Sequence, residues 1–166
     1  MTLIVPPDST DFVVVASDPK TAHALQRQLD DLGRVEPLRG HPGMFIITPR
    51  GERIGAAERL RAALKLFGSK VRVSPLLEDE RGNRLVPTGK VTVRFKSEPS
   101  DADLQQLAAP LGLTIDSRNK YIPSQVSFRV AGDVSDELLD VVDRIRERDD
   151  RVLQAWPETL GLYRRA

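Results

Sequence analysis

The chain has 166 residues, 40% of them hydrophobic and 30% charged, and its 25 Lys plus Arg against 24 Asp plus Glu leave a net charge of +1. That composition describes a folded globular protein, and it lacks the basic excess that nucleic-acid binders gather on one face. The absence of cysteine excludes disulfides, a thiolate nucleophile and Cys-based zinc sites.

The N-terminal stretch MTLIVPPDST holds an apolar run of three residues, short of the roughly 7–15 of a signal-peptide core, and no run reaches the roughly 20 of a membrane span. The expectation is a soluble chain without an export signal, cytoplasmic by default, with no membrane partner. Residues 1–11 read as a loose lead-in. FVVVA at 12–16 is a central strand, rich in β-branched residues. Asp18-Pro19 predicts a helix start, Ala22, Leu25, Leu29 and Leu32 form its apolar stripe, and Gly33 ends it. Residues 34–38 read as an edge strand weakened by Pro37, 40–43 as a turn, and MFIIT at 44–48 as a second apolar strand. A second helix carries Ala57, Leu60, Leu64 and Phe67 and stops at Gly68, and residues 70–77 close the unit as a strand.

The same order follows again. Val91, Val93 and Phe95 alternate with Thr92, Arg94 and Lys96, a half-buried strand with a basic outer face. Ser100 or Asp101 caps a helix with Leu104, Leu107 and Leu111 inward, ending at Gly112. Residues 113–117 are a strand, 118–124 a polar connection, and Gln125–Val130 a strand with Val126, Phe128 and Val130 on one face. Ser135 caps a helix carrying Leu138, Val141, Val142 and Ile145, and residues 151–156 form the last strand, stopped by Pro157.

The halves superimpose by number. Leu25 and Leu104, Leu32 and Leu111, and Gly33 and Gly112 are each 79 apart; Leu60 and Val141, Leu64 and Ile145, and Val71 and Val152 are each 81 apart. A fixed internal period outranks any single motif. It predicts an α+β protein of two tandem ferredoxin-like βαββαβ units, each an antiparallel sheet with helices on one face, the alternative being one larger α+β domain. The units span 12–78 and 90–158, joined by a charged Gly/Pro linker at 79–89 and followed by a tail at 159–166.

Chemistry-bearing motifs are sparse, and no enzyme and no cofactor are expected. His23 lies beside Ala22 on a helix and His41 in a Gly/Pro turn, and neither has a companion at metal-ligand spacing. No phosphate-binding glycine motif and no G-x-S-x-G elbow occurs. A ferredoxin-like sheet with exposed aromatics is an RNA platform, but Phe95 falls in the inward register with Val91 and Val93, so no nucleic acid is expected. Arg94, Ser127 and Arg129 lie on the outer sheet face of the second unit. One feature of the first unit departs from its counterpart: the strands at 12–16 and 44–48 are apolar on both faces. A sheet covered on one side alternates. The outer face of the first sheet is therefore expected to be covered, by the second unit or by another protein.

The stretch VSPLLEDERGNRLVPTGKVTVRFK at 73–96, the helix ending in Leu-Gly, the polar stretch with Asn119 and Tyr121, and the closing RDDRVLQAWPE resemble the N-terminal propeptides of subtilisin-like serine proteases. The resemblance covers residues 73–158, with Pro157-Glu158 in the reverse of the family's usual order, and the Asp, His and Ser motifs of the catalytic domain occur nowhere. It implies an inhibitor and intramolecular chaperone of a subtilisin-like serine protease, in cis or in trans. Its sheet face, here Arg94, Ser127 and Arg129, would pack on the protease. Its tail, with Leu160, Leu162, Tyr163, Arg164, Arg165 and Ala166, would lie in the substrate cleft, Tyr163 in a hydrophobic pocket and Ala166 before the cleavage position. Two rival readings stand beside it: a non-catalytic adaptor using the apolar sheet face of the first unit, and a small-ligand regulatory module of the paired ferredoxin-like kind.

Overall fold

The computed structural model describes residues 2–6, 10–132 and 137–162. The first unit runs β1 (Phe12–Ala16), α1 (Pro19–Leu32), β2 (Gly33–Pro37), β3 (Met44–Pro49), α2 (Ala56–Ala63), a 3-10 segment (Lys65–Lys70) and β4 (Val71–Pro75). Its strands lie in the order β2-β3-β1-β4, every neighbour antiparallel. That is the ferredoxin-like βαββαβ arrangement.

Local chemistry explains where the elements begin. The Asp18 carboxylate accepts hydrogen bonds from the Thr21 backbone N–H at 2.7 Å and from the Thr21 hydroxyl at 2.9 Å, and Pro19 takes the first turn, where its missing N–H leaves nothing unpaired. Leu25 and Leu29 from α1 and Leu60 from α2 are buried against Phe12, Val14, Phe45, Ile47, Val71 and Val73 of the sheet. At about 1.5–3 kcal/mol for each fully buried aliphatic or aromatic side chain, this layer is the main source of the unit's stability.

The second unit repeats the pattern with β6 (Arg84–Phe95), α3 (Asp101–Ala108), a 3-10 turn (Ala109–Leu111), β7 (Leu113–Arg118), β8 (Gln125–Val130), α4 (Leu138–Arg148) and β9 (Val152–Leu162). β7 pairs with β8, β8 with β6, and β6 with β9. The core holds Val91, Val93, Phe95, Val126, Phe128 and Val130 under Leu104, Leu107, Leu138, Val141, Val142 and Ile145. The tandem ferredoxin-like fold is what the repeat predicts.

The duplication extends to single hydrogen bonds. Val14 faces Phe45 and Val13 faces Ile46; the offsets of 79 and 81 carry these pairs to Val93–Val126 and Thr92–Ser127, which face each other in β6 and β8. The Ala16 N–H donates to the Gly43 carbonyl at 2.8 Å and Ser17 to Lys70 at 2.8 Å. Their counterparts are Phe95 to Ser124 at 2.7 Å and Lys96 to Arg151 at 2.8 Å.

Three expectations are corrected. Residues read as linker form a hairpin: β5 (Leu77–Glu78) pairs with the start of β6, and the Asp79 carboxylate closes the turn by accepting from the N–H groups of Arg81 and Asn83, each at 2.9 Å. Pro157 does not end the last strand: β9 pairs with β6 and, among the described residues, with no other strand, and an edge strand tolerates a proline. Third, neither the second unit nor another protein is needed to cover the outer face of the first sheet. Val13, Met44 and Ile46 form a cluster with Leu76 and Val86, and Leu160 of β9 packs against it. Residues up to Thr88 and from Thr159 onward make up the first compact unit, and Gly89–Glu158 the second, so the covering residues belong to the first unit.

Candidate functional site

Strand alternation positions the site. With Val91, Val93 and Phe95 of β6 and Val126, Phe128 and Val130 of β8 in the core, the intervening Lys90, Thr92 and Arg94 and Gln125, Ser127 and Arg129 lie on the opposite face. The register sets them in rows: Lys90 opposite Arg129, Thr92 opposite Ser127, Arg94 opposite Gln125. In the first unit the equivalent rows are Val13 with Ile46 and Val15 with Met44, and at the place of the third the Thr48 hydroxyl donates to the Asp11 carboxylate at 2.6 Å. Beyond the Asp11–Thr48 row, the first unit's face is apolar, whereas its duplicate carries charge and hydroxyls.

The neighbouring strand adds a carboxylate. In β7 the register shifts between Ile115 and Ser117, so Asp116 is the residue the bulge inserts, and a bulge re-aims its side chain. The Asp116 carboxylate lies 3.2 Å from Lys90 Nζ and 3.6 Å from an Arg129 guanidinium nitrogen, with all three side chains about one quarter to one third exposed. Pairs at that exposure contribute about 0.2–1 kcal/mol each. Arg94, half-buried, has no hydrogen-bond or ion-pair partner among the described residues. The Ser127 hydroxyl is buried and likewise has no hydrogen-bond partner among them. Lys90, Arg94 and Arg129 against Asp116 leave these strands with an excess of positive charge; in the row between them Thr92 and the Ser127 hydroxyl are buried, and the Arg94 guanidinium is the group suited to an incoming carboxylate.

The structure thus brings Arg94, Ser127 and Arg129 together as the sequence places them. Lys90 shares their alternation and was legible in it; Asp116 was not, because a bulge leaves no periodic signal. Leu160 lies elsewhere, against the first unit's apolar cluster. Leu162 ends β9, and Tyr163, Arg164, Arg165 and Ala166 lie outside the described residues. His23 and His41 are both exposed, and among the described residues no His, Asp and Glu side chains gather into a metal-holding group.

A depression of about 440 Å³ in the second unit is lined by Gln106, Leu107, Arg148, Asp149, Asp150 and Arg151. Arg151 is committed within its wall: it grips Asp149 through two nitrogens at 2.9 and 2.8 Å and also binds Asp103. The Arg151 hydrogen bonds hold the Asp149 carboxyl below the usual carboxylate range, and the same pairs push the guanidinium upward. Asp103 is held low first by the Ser100 backbone N–H, in a capping box, and then by the Ser100 hydroxyl. These groups clamp the start of α3 to the turn after α4.

No family model matches the sequence, and no curated protein matches it. Solved structures similar to it include the acetolactate synthase small subunit from Thermotoga maritima, at 12% identity over 90% of this chain and 91% of that one, with a TM-score of 0.29. A putative glycine cleavage system transcriptional repressor is 15% identical over 90% and 95%, with a TM-score of 0.28. A protein of unknown function from Galdieria sulphuraria is 14% identical over 92% and 99%, with a TM-score of 0.26. These likenesses are too distant to carry a function across.

The protease-inhibitor and propeptide reading is corrected. The two named structures to which the chain is similar, an acetolactate synthase small subunit and a putative glycine cleavage system transcriptional repressor, are not protease propeptides. The tail is also not free to lie in a cleft as far as it is described, because Thr159–Leu162 continues a paired strand and Leu160 is packed. Among the described residues no helix is long and apolar enough to cross a membrane.

Proposed function

We propose that the chain is a non-catalytic adaptor that binds an acidic segment of a partner protein on the outer face of its second sheet. The contrast between the duplicated faces supports this reading. The face first expected to dock a partner, around Val13 and Ile46, is filled by Leu76, Val86 and Leu160 of the same unit. Its counterpart holds Arg94, half-buried and without a partner among the described residues, and this guanidinium carries the proposal. A partner carboxylate satisfies it, and the neighbouring cations draw that carboxylate in and select against basic segments.

RNA fits the face less well. The central strands β6 and β8 place no aromatic outward, since Phe95 and Phe128 are core residues, and Tyr121 at the end of the face offers a single ring where an RNA platform stacks two or three bases. The test pans a displayed library of random short peptides against the pure chain and titrates the selected peptides, with a single-stranded RNA oligonucleotide alongside. Acidic peptides are expected, with an affinity that falls about tenfold or more in Arg94→Glu. Selection indifferent to charge, or RNA binding that is tight and lost in Arg94→Glu, overturns the proposal.

A further inference from the structure

The connection between β7 and β8 springs from the end of the strand pair where Arg94 faces Gln125. Both of its ends are tied down. The Asn119 N–H donates to the Gln125 carbonyl at 3.0 Å, the Gln125 N–H to the Ile122 carbonyl at 2.9 Å, and the Ser124 carbonyl accepts from Phe95 at 2.7 Å. Within the tip the Asn119 side-chain oxygen accepts from the N–H groups of Tyr121 at 2.8 Å and Ile122 at 3.0 Å. An Asn side chain that closes a turn on its own following amides holds the backbone in one conformation.

On this pinned backbone Tyr121 is 91% exposed, and its hydroxyl has no partner among the described residues. Lys120 beside it is exposed, also without a partner among them. A lone exposed aromatic is ordinary on a protein surface. This one differs in two respects: its loop is ordered by side-chain and main-chain hydrogen bonds that do nothing for the ring, and it stands at the Arg94 end of the cationic face. An aromatic held out at little conformational cost is the usual anchor of a recognition surface, since its large area is buried only when a partner arrives.

We infer that Tyr121 is the apolar anchor of the adaptor surface. The partner segment carries an aliphatic or aromatic side chain at a fixed spacing from the carboxylate that meets Arg94; that side chain packs on the Tyr121 ring, with Lys120 meeting a second acidic group at the rim. The inference rests on the adaptor reading and adds the second half of the recognised motif. It makes Tyr121 a specificity determinant with no part in stability.

The peptide-library experiment tests it when run in parallel on the native chain, Tyr121→Ala, Tyr121→Phe and Arg94→Glu. Peptides selected by the native chain should pair an acidic position with an apolar one at constant spacing. Tyr121→Ala should keep the acidic preference, lose the apolar one and bind the selected peptides about tenfold more weakly, while Tyr121→Phe stays near native. The thermal midpoint should be the same in the native chain, Tyr121→Ala and Tyr121→Phe, because the ring is almost entirely outside the fold. If Arg94→Glu abolishes binding but Tyr121→Ala changes neither affinity nor the apolar preference, the anchor is refuted and the adaptor stands. If no acidic motif emerges from the native chain, the adaptor reading falls and takes the anchor with it.

Discussion

Thr92 stands opposite Ser127 in the β6–β8 ladder, at the place that Val13 and Ile46 occupy in the β1–β3 ladder. The backbone has been duplicated down to its register, while the side chains on one face have exchanged apolar for polar. That exchange separates a face packed with apolar side chains from a face that carries charge and hydroxyls.

The polar member of the pair is held at a cost. A buried hydroxyl without a partner is destabilising by about 1–3 kcal/mol, so Ser127→Ala should raise stability, by about 1 kcal/mol in urea unfolding. A loss of stability would mean that the hydroxyl is satisfied in solution.

Moving the second unit's chemistry into the first should do harm. Ile46, 2% exposed, sits in the cluster with Val13, Met44, Leu76 and Val86. Ile46→Ser leaves a cavity and an unpaired hydroxyl there and should destabilise by about 3 kcal/mol in the same assay.

Removing the packing of β9's end should also be felt. Leu160→Ala, at a partly buried site, should lower stability by about 1–2 kcal/mol, and truncation after Glu158 should lower it further. A truncated chain with native unfolding behaviour would contradict the role given to that strand end.

Acid should unfold the chain through its caps. Asp18, held low mainly by the Thr21 N–H, Asp79 by the Asn83 side chain, Asp103 by the Ser100 N–H and Asp149 by Arg151 all lose their protons more readily folded than unfolded. Their stabilisation is complete above the ordinary aspartate value near ~3.9 and is lost as pH falls from there through the lower folded values. The urea midpoint should therefore drop between about pH 5 and about pH 2, and Asp103→Asn should show a shallower drop.

Gly33 and Gly112 are equivalent by number and both follow a helix, yet they answer to different constraints. Gly112 has φ at 67°, the left-handed region that disfavours side chains. Gly33 is extended, and a Cβ there would clash with the Thr48 carbonyl oxygen and lie 2.8 Å from Pro49 Cα. Gly33→Ala should cost about 1–3 kcal/mol by forcing β2 from β3, read out as accelerated amide exchange in β2.

Much of the fold was legible in the chain itself because its signals are local or periodic. Apolar stripes at helical spacing, alternation in β6 and β8, the Asp18-Pro19 start and the offsets of 79 and 81 specify two ferredoxin-like units and even the pairing of Val93 with Val126. The same alternation assigned Arg94, Ser127 and Arg129 to one face. The hairpin at Leu77, the passage of β9 through Pro157 and the insertion of Asp116 depend on which strand lies alongside, and a neighbour distant in sequence leaves no mark on local composition. The doubly apolar strands around Val13 and Ile46 announced that something covers them. Only the tertiary structure identified it as Leu76, Val86 and Leu160, because hydrophobic burial rewards any apolar surface that reaches the site and does not say which one will.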